Sequence, residues 1–302
     1  MARRRTDPLE IHGGSPETRW VDRYGRVIDE EDRGLVYDVS TLVSRRSALG
    51  LFGALGAGVL VAGCGATTGT STSGGGSIAA SGSASVSSSA SASGDLAEVP
   101  DETGGPYPGD GSNGVNTLDD SGIVRSDIRS SFGSSTTTAD GVPLTIRLTV
   151  RDAATGNAKQ GAAVYLWHCN RDGAYSLYAQ GLENENYLRC VQAAGADGTV
   201  EFTSIYPAAY DGRWPHIHFE VYEDVDTATG SGPVVKTSQI ALPKEACDVV
   251  YAESGYEQSA ANLSRTSLTS DMVFGDDGGI HQIASMSGSV AQGYLAALTI
   301  GV

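Results

Sequence analysis

Residues 144–151 read Leu-Thr-Ile-Arg-Leu-Thr-Val-Arg, an unbroken alternation of apolar and polar side chains. A strand points successive side chains to opposite faces, so this stretch is a strand with one apolar and one polar face. The apolar face must be covered by a second layer. Further strand signals follow at 162–169 (AAVYLWHC), 199–205 (TVEFTSI), 216–222 (HIHFEVY) and 234–240 (VVKTSQI). The 162–169 run is apolar on both faces, which suits a central strand. Turn clusters at 152–157 (DAATGN) and 195–198 (GADG) separate them. Helical periodicity is weak, and 245–262 is the one stretch read as a short helix. Forty glycines and only 19% charged residues agree with a turn-rich β protein. The expected fold is all-β: an antiparallel β-sandwich with long loops and little helix.

The first third of the 302 residues does not read as part of that sandwich. Residues 1–43 form a polar N-terminal extension without sustained period. Residues 44–47 are Ser-Arg-Arg-Ser, and the 16 residues 48–63 (ALGLFGALGAGVLVAG) carry no charge. A bilayer-spanning helix needs ~20 residues, so this run is too short and glycine-rich to span. It suits the apolar core of an export signal, preceded by twin arginines. Val61-Ala62-Gly63-Cys64 resembles the bacterial lipobox, whose cysteine is acylated after cleavage. Residues 44–64 are therefore read as a twin-arginine signal with lipobox. Residues 65–98 form a Gly/Ala/Ser-rich disordered tether, because 28 of the 30 residues 65–94 are Gly, Ala, Ser or Thr and offer little apolar surface to offset ordering. The folded domain is then 99–302. This order implies an exported protein, anchored by lipid at Cys64 to the cell surface, with no other membrane contact.

The net charge is −16, and the nine arginines of 1–64 are offset by nine acids, so the whole excess falls on the later residues. A nucleic-acid partner requires cations to replace its counterions, which this balance excludes. Past Cys64, the cysteines are Cys169, Cys190 and Cys247. Three thiols allow one disulfide and one leftover, export permits it, and the sequence does not choose the pair.

His216 and His218 share a strand face, an ordinary arrangement for metal ligands, although two such histidines are also common as plain surface residues. Tyr210 lies six residues before His216, and Tyr175 follows Asp172-Gly173-Ala174. A phenol has pKa ≈ 10 and ligates only when a strongly charged cation holds it as phenolate. Two histidines with two tyrosines therefore favour ferric iron over zinc.

Three segments, DGAY (172–175), IYPAAY (205–210) and RWPHIHF (213–219), together resemble the intradiol ring-cleavage dioxygenases. These are the catechol and protocatechuate dioxygenases, and the resemblance is strongest to their secreted relatives. It runs from about Glu102, in ETGGPYPGDGSNGVN, to about Gln239. The resemblance implies a non-haem Fe(III) held by Tyr175, Tyr210, His216 and His218. It also implies that Tyr210 leaves the metal as a catecholate chelates it, with Arg213 stabilising charge on the activated substrate and Gln239 matching a catalytic glutamine beside it. The implied reaction opens a catecholic ring between its hydroxylated carbons with O2, giving a muconate-type dicarboxylate. Tyr107 and Pro108 are expected at the pocket mouth. The family's helical dimerisation segment is not read here, which favours a monomer.

Other residues have plainer readings. Tyr206 rivals Tyr210, the latter preferred for its spacing to Arg213. Arg213 has Asp211 or Glu220 as possible surface partners. His168 is expected as a hydrogen-bonded core histidine, and the Asn262-Leu263-Ser264 sequon is read as without meaning. The alternative function is a tethered sandwich that binds without chemistry. The sequence leaves the particular catechol open.

Overall fold

The structure, a computed structural model, describes residues 96–302. The extension, the export signal with Cys64 and nearly all of the tether lie outside the described residues.

Among the described residues, eight strands form two four-stranded sheets. The first has the order β4-β1-β8-β7, from β1 (Pro143–Arg151), β4 (Thr199–Ile205), β7 (Ser285–Ser289) and β8 (Gly293–Gly301). The second has the order β3-β2-β5-β6, from β2 (Ala163–Trp167), β3 (Arg189–Ala193), β5 (His216–Tyr222) and β6 (Lys236–Ala241). Among the described residues, three short helices, α1 (Val225–Thr229), α2 (Lys244–Val250) and α3 (Glu257–Leu263), complete the all-β fold.

The alternation that opens β1 is used as expected. Leu144, Ile146, Leu148 and Val150 are at most 1% exposed and face the core between the sheets. Full burial of such side chains contributes about 1.5–3 kcal/mol each. β2 is central, flanked by β3 and β5. Val164 and Leu166 join the inter-sheet core, while Ala163, Tyr165 and Trp167 join a second cluster on the opposite face. The second sheet is thus buried on both sides: one side meets the first sheet, and loops cover the other.

The antiparallel expectation needs one correction, since β1 and β8 pair in parallel from Leu144↔Tyr294 to Arg151↔Gly301. A parallel partner needs a long crossover, which the route through the second sheet and the helices supplies. The expected single helix is two, α2 and α3, separated by a turn in which Gly255 takes φ +93°. The sequence reading missed β3, too short for a visible period, β7, whose Ser-Met-Ser-Gly-Ser carries no apolar alternation, and β8, whose Tyr-Leu-Ala-Ala-Leu run does not alternate. Cys169, Cys190 and Cys247 are all buried free thiols.

Candidate metal centre

β5 builds the centre. Ile217, Phe219 and Val221 anchor it in the inter-sheet core, so His216, His218 and Glu220 must face the loop-covered side. His218 stands opposite Trp167 on β2 and Gln239 on β6. The Trp167 and His218 rings stack at 4.9 Å and 7°. His216 Nδ1 donates to the Trp214 carbonyl at 2.6 Å, which leaves Nε2 as a bare acceptor. His218 Nδ1 is buried with no hydrogen-bond partner among the described residues.

The two tyrosines come from separate loops that are sewn together. Between β2 and β3, Asn170 Oδ1 accepts the Asp172 and Ala174 amides, closing the turn that presents Tyr175. Gly173 in this turn has φ +84°, and a Cβ there would lie 3.4 Å from the Tyr210 Cβ. The positive φ calls for glycine. Between β4 and β5, the Ala208 amide donates to the Asn170 carbonyl. Ser259 and Asn262 of α3 hold the Ala209 amide and carbonyl at 3.1 and 2.8 Å. The asparagine of the sequon is thus buried behind Tyr210.

Four donor atoms meet on this face. The Tyr210 hydroxyl is 2.9 Å from His216 Nε2, and the Tyr175 hydroxyl is 3.2 Å from His218 Nε2. The two Nε2 atoms are 3.1 Å apart and the two hydroxyls 3.5 Å apart. Ligands sharing one ion at bond lengths near 2 Å sit roughly 3 Å from their neighbours. The ring therefore fits a single cation. Electrostatics agree. Burial drives both imidazoles well below their usual range, His216 helped by Arg213 and His218 by His216. Burial also pushes the Tyr210 phenol up to about 12, opposed by the Arg213 charge, and raises Tyr175 well above the usual phenol range. Neutral imidazole lone pairs and undissociated phenols packed this closely gain most from a buried positive charge. Among the described residues no three His, Cys, Asp or Glu side chains cluster as metal donors. A metal in this ring would draw half its protein ligands from phenols, a donor set that suits ferric iron.

Arg213 is nearly buried and pairs with neither Asp211 nor Glu220. Its Nε donates to Asp271 at 2.9 Å and its Nη2 to Gln239 Oε1 at 2.6 Å. Gln239 Nε2 in turn donates to the Thr103 carbonyl at 2.9 Å. Asp211 pairs with Arg265, and Glu220 accepts from the Tyr222 hydroxyl. Tyr206 is away from the ring, its hydroxyl 3.2 Å from Cys247 Sγ in the inter-sheet core. His168 is buried between the Cys169 carbonyl and Ser204 Oγ, both at 2.7 Å.

The ETGGPYP segment lies across the centre. A Cβ on Gly105 (φ +73°) would come within 3.3 Å of His218 Cε1. The Tyr107 ring is 5.1 Å from that of Tyr175. Behind it, the fully buried Arg189 donates to the Tyr107, Pro108 and Ser176 carbonyls, to Ser176 Oγ and to the Tyr165 hydroxyl. Sequence reasoning missed Trp167, Arg189 and Asp271. A lone arginine inside the Tyr-Leu-Arg-Cys-Val run was the one available signal for Arg189.

Residues 127–224 match the family model described as Dioxygenase. A chlorocatechol 1,2-dioxygenase of Rhodococcus opacus is 37% identical over 62 residues, which cover 20% of this chain and only 24% of that protein. An intradiol ring-cleavage dioxygenase of Tetranychus urticae superposes with TM-score 0.53 at 24% identity, over 68% of this chain and 94% of that one. The fold is that of the intradiol dioxygenase sandwich. The sequence match over residues 127–224 and the structural likeness of the sandwich are both to intradiol ring-cleavage dioxygenases.

Proposed function

We propose that this protein is a non-haem Fe(III) dioxygenase that opens catecholic rings with O2 to muconate-type dicarboxylates. The observation that carries this reading is the closed ring of two phenol and two imidazole donors, neighbours 2.9–3.5 Å apart. Tyr175, Tyr210, His216 and His218 would hold the iron, which supplies Lewis acidity toward the catecholate and lets it react with dioxygen. The chain does the rest. Tyr175 is 4% exposed and wedged against Tyr107, whereas Tyr210 is only partly buried. Tyr210 is therefore the phenol free to swing out and take a catechol proton as the substrate binds. Arg213, held by Asp271 and Gln239, supplies fixed positive charge where negative charge develops on the substrate. The segment 103–108 covers the pocket and orients the ring.

The test is spectroscopic and kinetic. Iron-loaded protein should show a tyrosinate-to-Fe(III) charge-transfer band. Catechol should shift that band without oxygen and consume oxygen once it is admitted. Iron-loaded protein that stays colourless and consumes no oxygen over a catechol panel would leave only a binding module.

We further infer from residues 44–64 that the protein is exported and lipid-anchored at Cys64, acting as a monomer on catechols met outside the cell. Loss of the membrane-bound fraction in Cys64→Ser, and light scattering of the soluble domain, test these two points.

A further inference from the structure

Asp271 follows a 3-10 turn (Leu268–Ser270) in the tail beyond β6, outside the span of the matched family model. Its carboxylate is completely buried and accepts four hydrogen bonds. Oδ2 takes Arg213 Nε at 2.9 Å and the Trp214 amide at 2.6 Å. Oδ1 takes the Val273 and Phe274 amides at 2.8 and 3.1 Å. A carboxylate has about four acceptor sites, so this one is saturated. The pair it forms with Arg213 is buried on both sides. Nη2 of Arg213 goes to Gln239, and Nη1 has no hydrogen-bond partner among the described residues. Two of the three guanidinium nitrogens are thus fixed by the protein and one edge is left over. The backbone also holds the arginine to the site, because its amide donates to the Tyr210 carbonyl.

We propose that Asp271 is a positioning residue: it clamps Nε and commits the free Nη1 edge of Arg213 to the charge that develops on the substrate. The inference rests on the role given to Arg213 above. An arginine without that clamp keeps its charge but samples several rotamers, so binding survives better than turnover.

The experiment has two arms. In iron-loaded enzyme, Asp271→Asn should lower kcat for catechol roughly tenfold to a hundredfold, with KM changed less than about threefold. In an Arg213→Lys background the same substitution should cost less than about twofold, because its target has gone. An equal loss in both backgrounds overturns the proposal in favour of a general structural role. The second arm uses iron-free protein with 15N-arginine. The Arg213 Nε–H, assigned by its loss in Arg213→Lys, should be protected from solvent exchange. Exchange as fast as that of the exposed Arg265, whose Nε–H makes no hydrogen bond among the described residues, overturns the proposal even if Asp271→Asn does not fold. Should the wild type consume no oxygen with any catechol, the parent reading fails while this second arm still decides the clamp.

Discussion

Trp167 and His218 lie ring on ring, 4.9 Å apart and 7° from parallel, although 51 positions separate them in the chain. The antiparallel register of β2 on β5 puts them side by side, and the stack does for His218 what the Trp214 carbonyl does for His216. Trp167→Ala is expected to cost about 3–5 kcal/mol through the cavity alone. It should also lower iron affinity, because the imidazole loses its support. Trp167→Phe should recover most of the affinity. Urea melts and metal titration of both variants check this.

Arg189 is a fully buried cation whose partners are carbonyls and hydroxyls. Arg189→Met removes the charge but orphans the Tyr107 and Ser176 carbonyls. Breaking a buried charged network in this way typically costs about 3–5 kcal/mol. Proteolysis should then cut first near residues 107–113, where the strap is released. A melting curve unchanged from wild type would show that Arg189 does not hold the strap.

Two tyrosines on one loop should behave oppositely. Tyr210→Phe is expected to change the charge-transfer band and lower turnover by at least about a hundredfold. Tyr206→Phe removes only the contact with Cys247, so turnover should stay within about twofold at a stability cost of ~1 kcal/mol. If the band followed Tyr206 instead, the ligand assignment would have to move.

His168 gives the fold a pH dependence with a definite sign. Burial, its largest cause, lowers this imidazole to about 4. The unfolded chain takes up its proton near pH 6.5, so it binds more protons than the folded chain between pH 6.5 and 4. Stability from this group is therefore complete above pH 6.5 and lost as the pH falls toward 4, by about 3 kcal/mol in all. His168→Gln, which can keep a bond to Ser204, should lose less stability than wild type over that interval. Parallel pH-stability profiles for the two proteins would contradict this.

Gly105 of the covering strap lies against His218. Gly105→Ala combines a positive φ with a Cβ 3.3 Å from His218 Cε1. The backbone strain alone is about 1 kcal/mol. The strap should lift, raising KM for catechol more than it lowers kcat. An unchanged KM would mean that the strap does not shape the pocket.

Much of the sandwich was legible because side-chain period and backbone geometry are the same statement in a strand. The alternation of 144–151 is the buried face of β1, and His216 and His218 share a face because they are two residues apart. β3 and β7 were illegible because five-residue strands with small or mixed side chains have no period to read.

The local sequence determined which residues could bind a metal and that the two imidazoles point the same way. Tertiary structure decided which phenols join them, since Tyr175 and Tyr210 reach the ring through loops from different strand pairs, and Tyr206 turns into the core. It also decided what supports the centre: Trp167 across the sheet, Arg189 under the strap, and Asp271, which lies 58 positions beyond Arg213. Period-two patterning is a short-range property of one strand, whereas charge pairing and stacking depend on distances in space that only the packed chain defines.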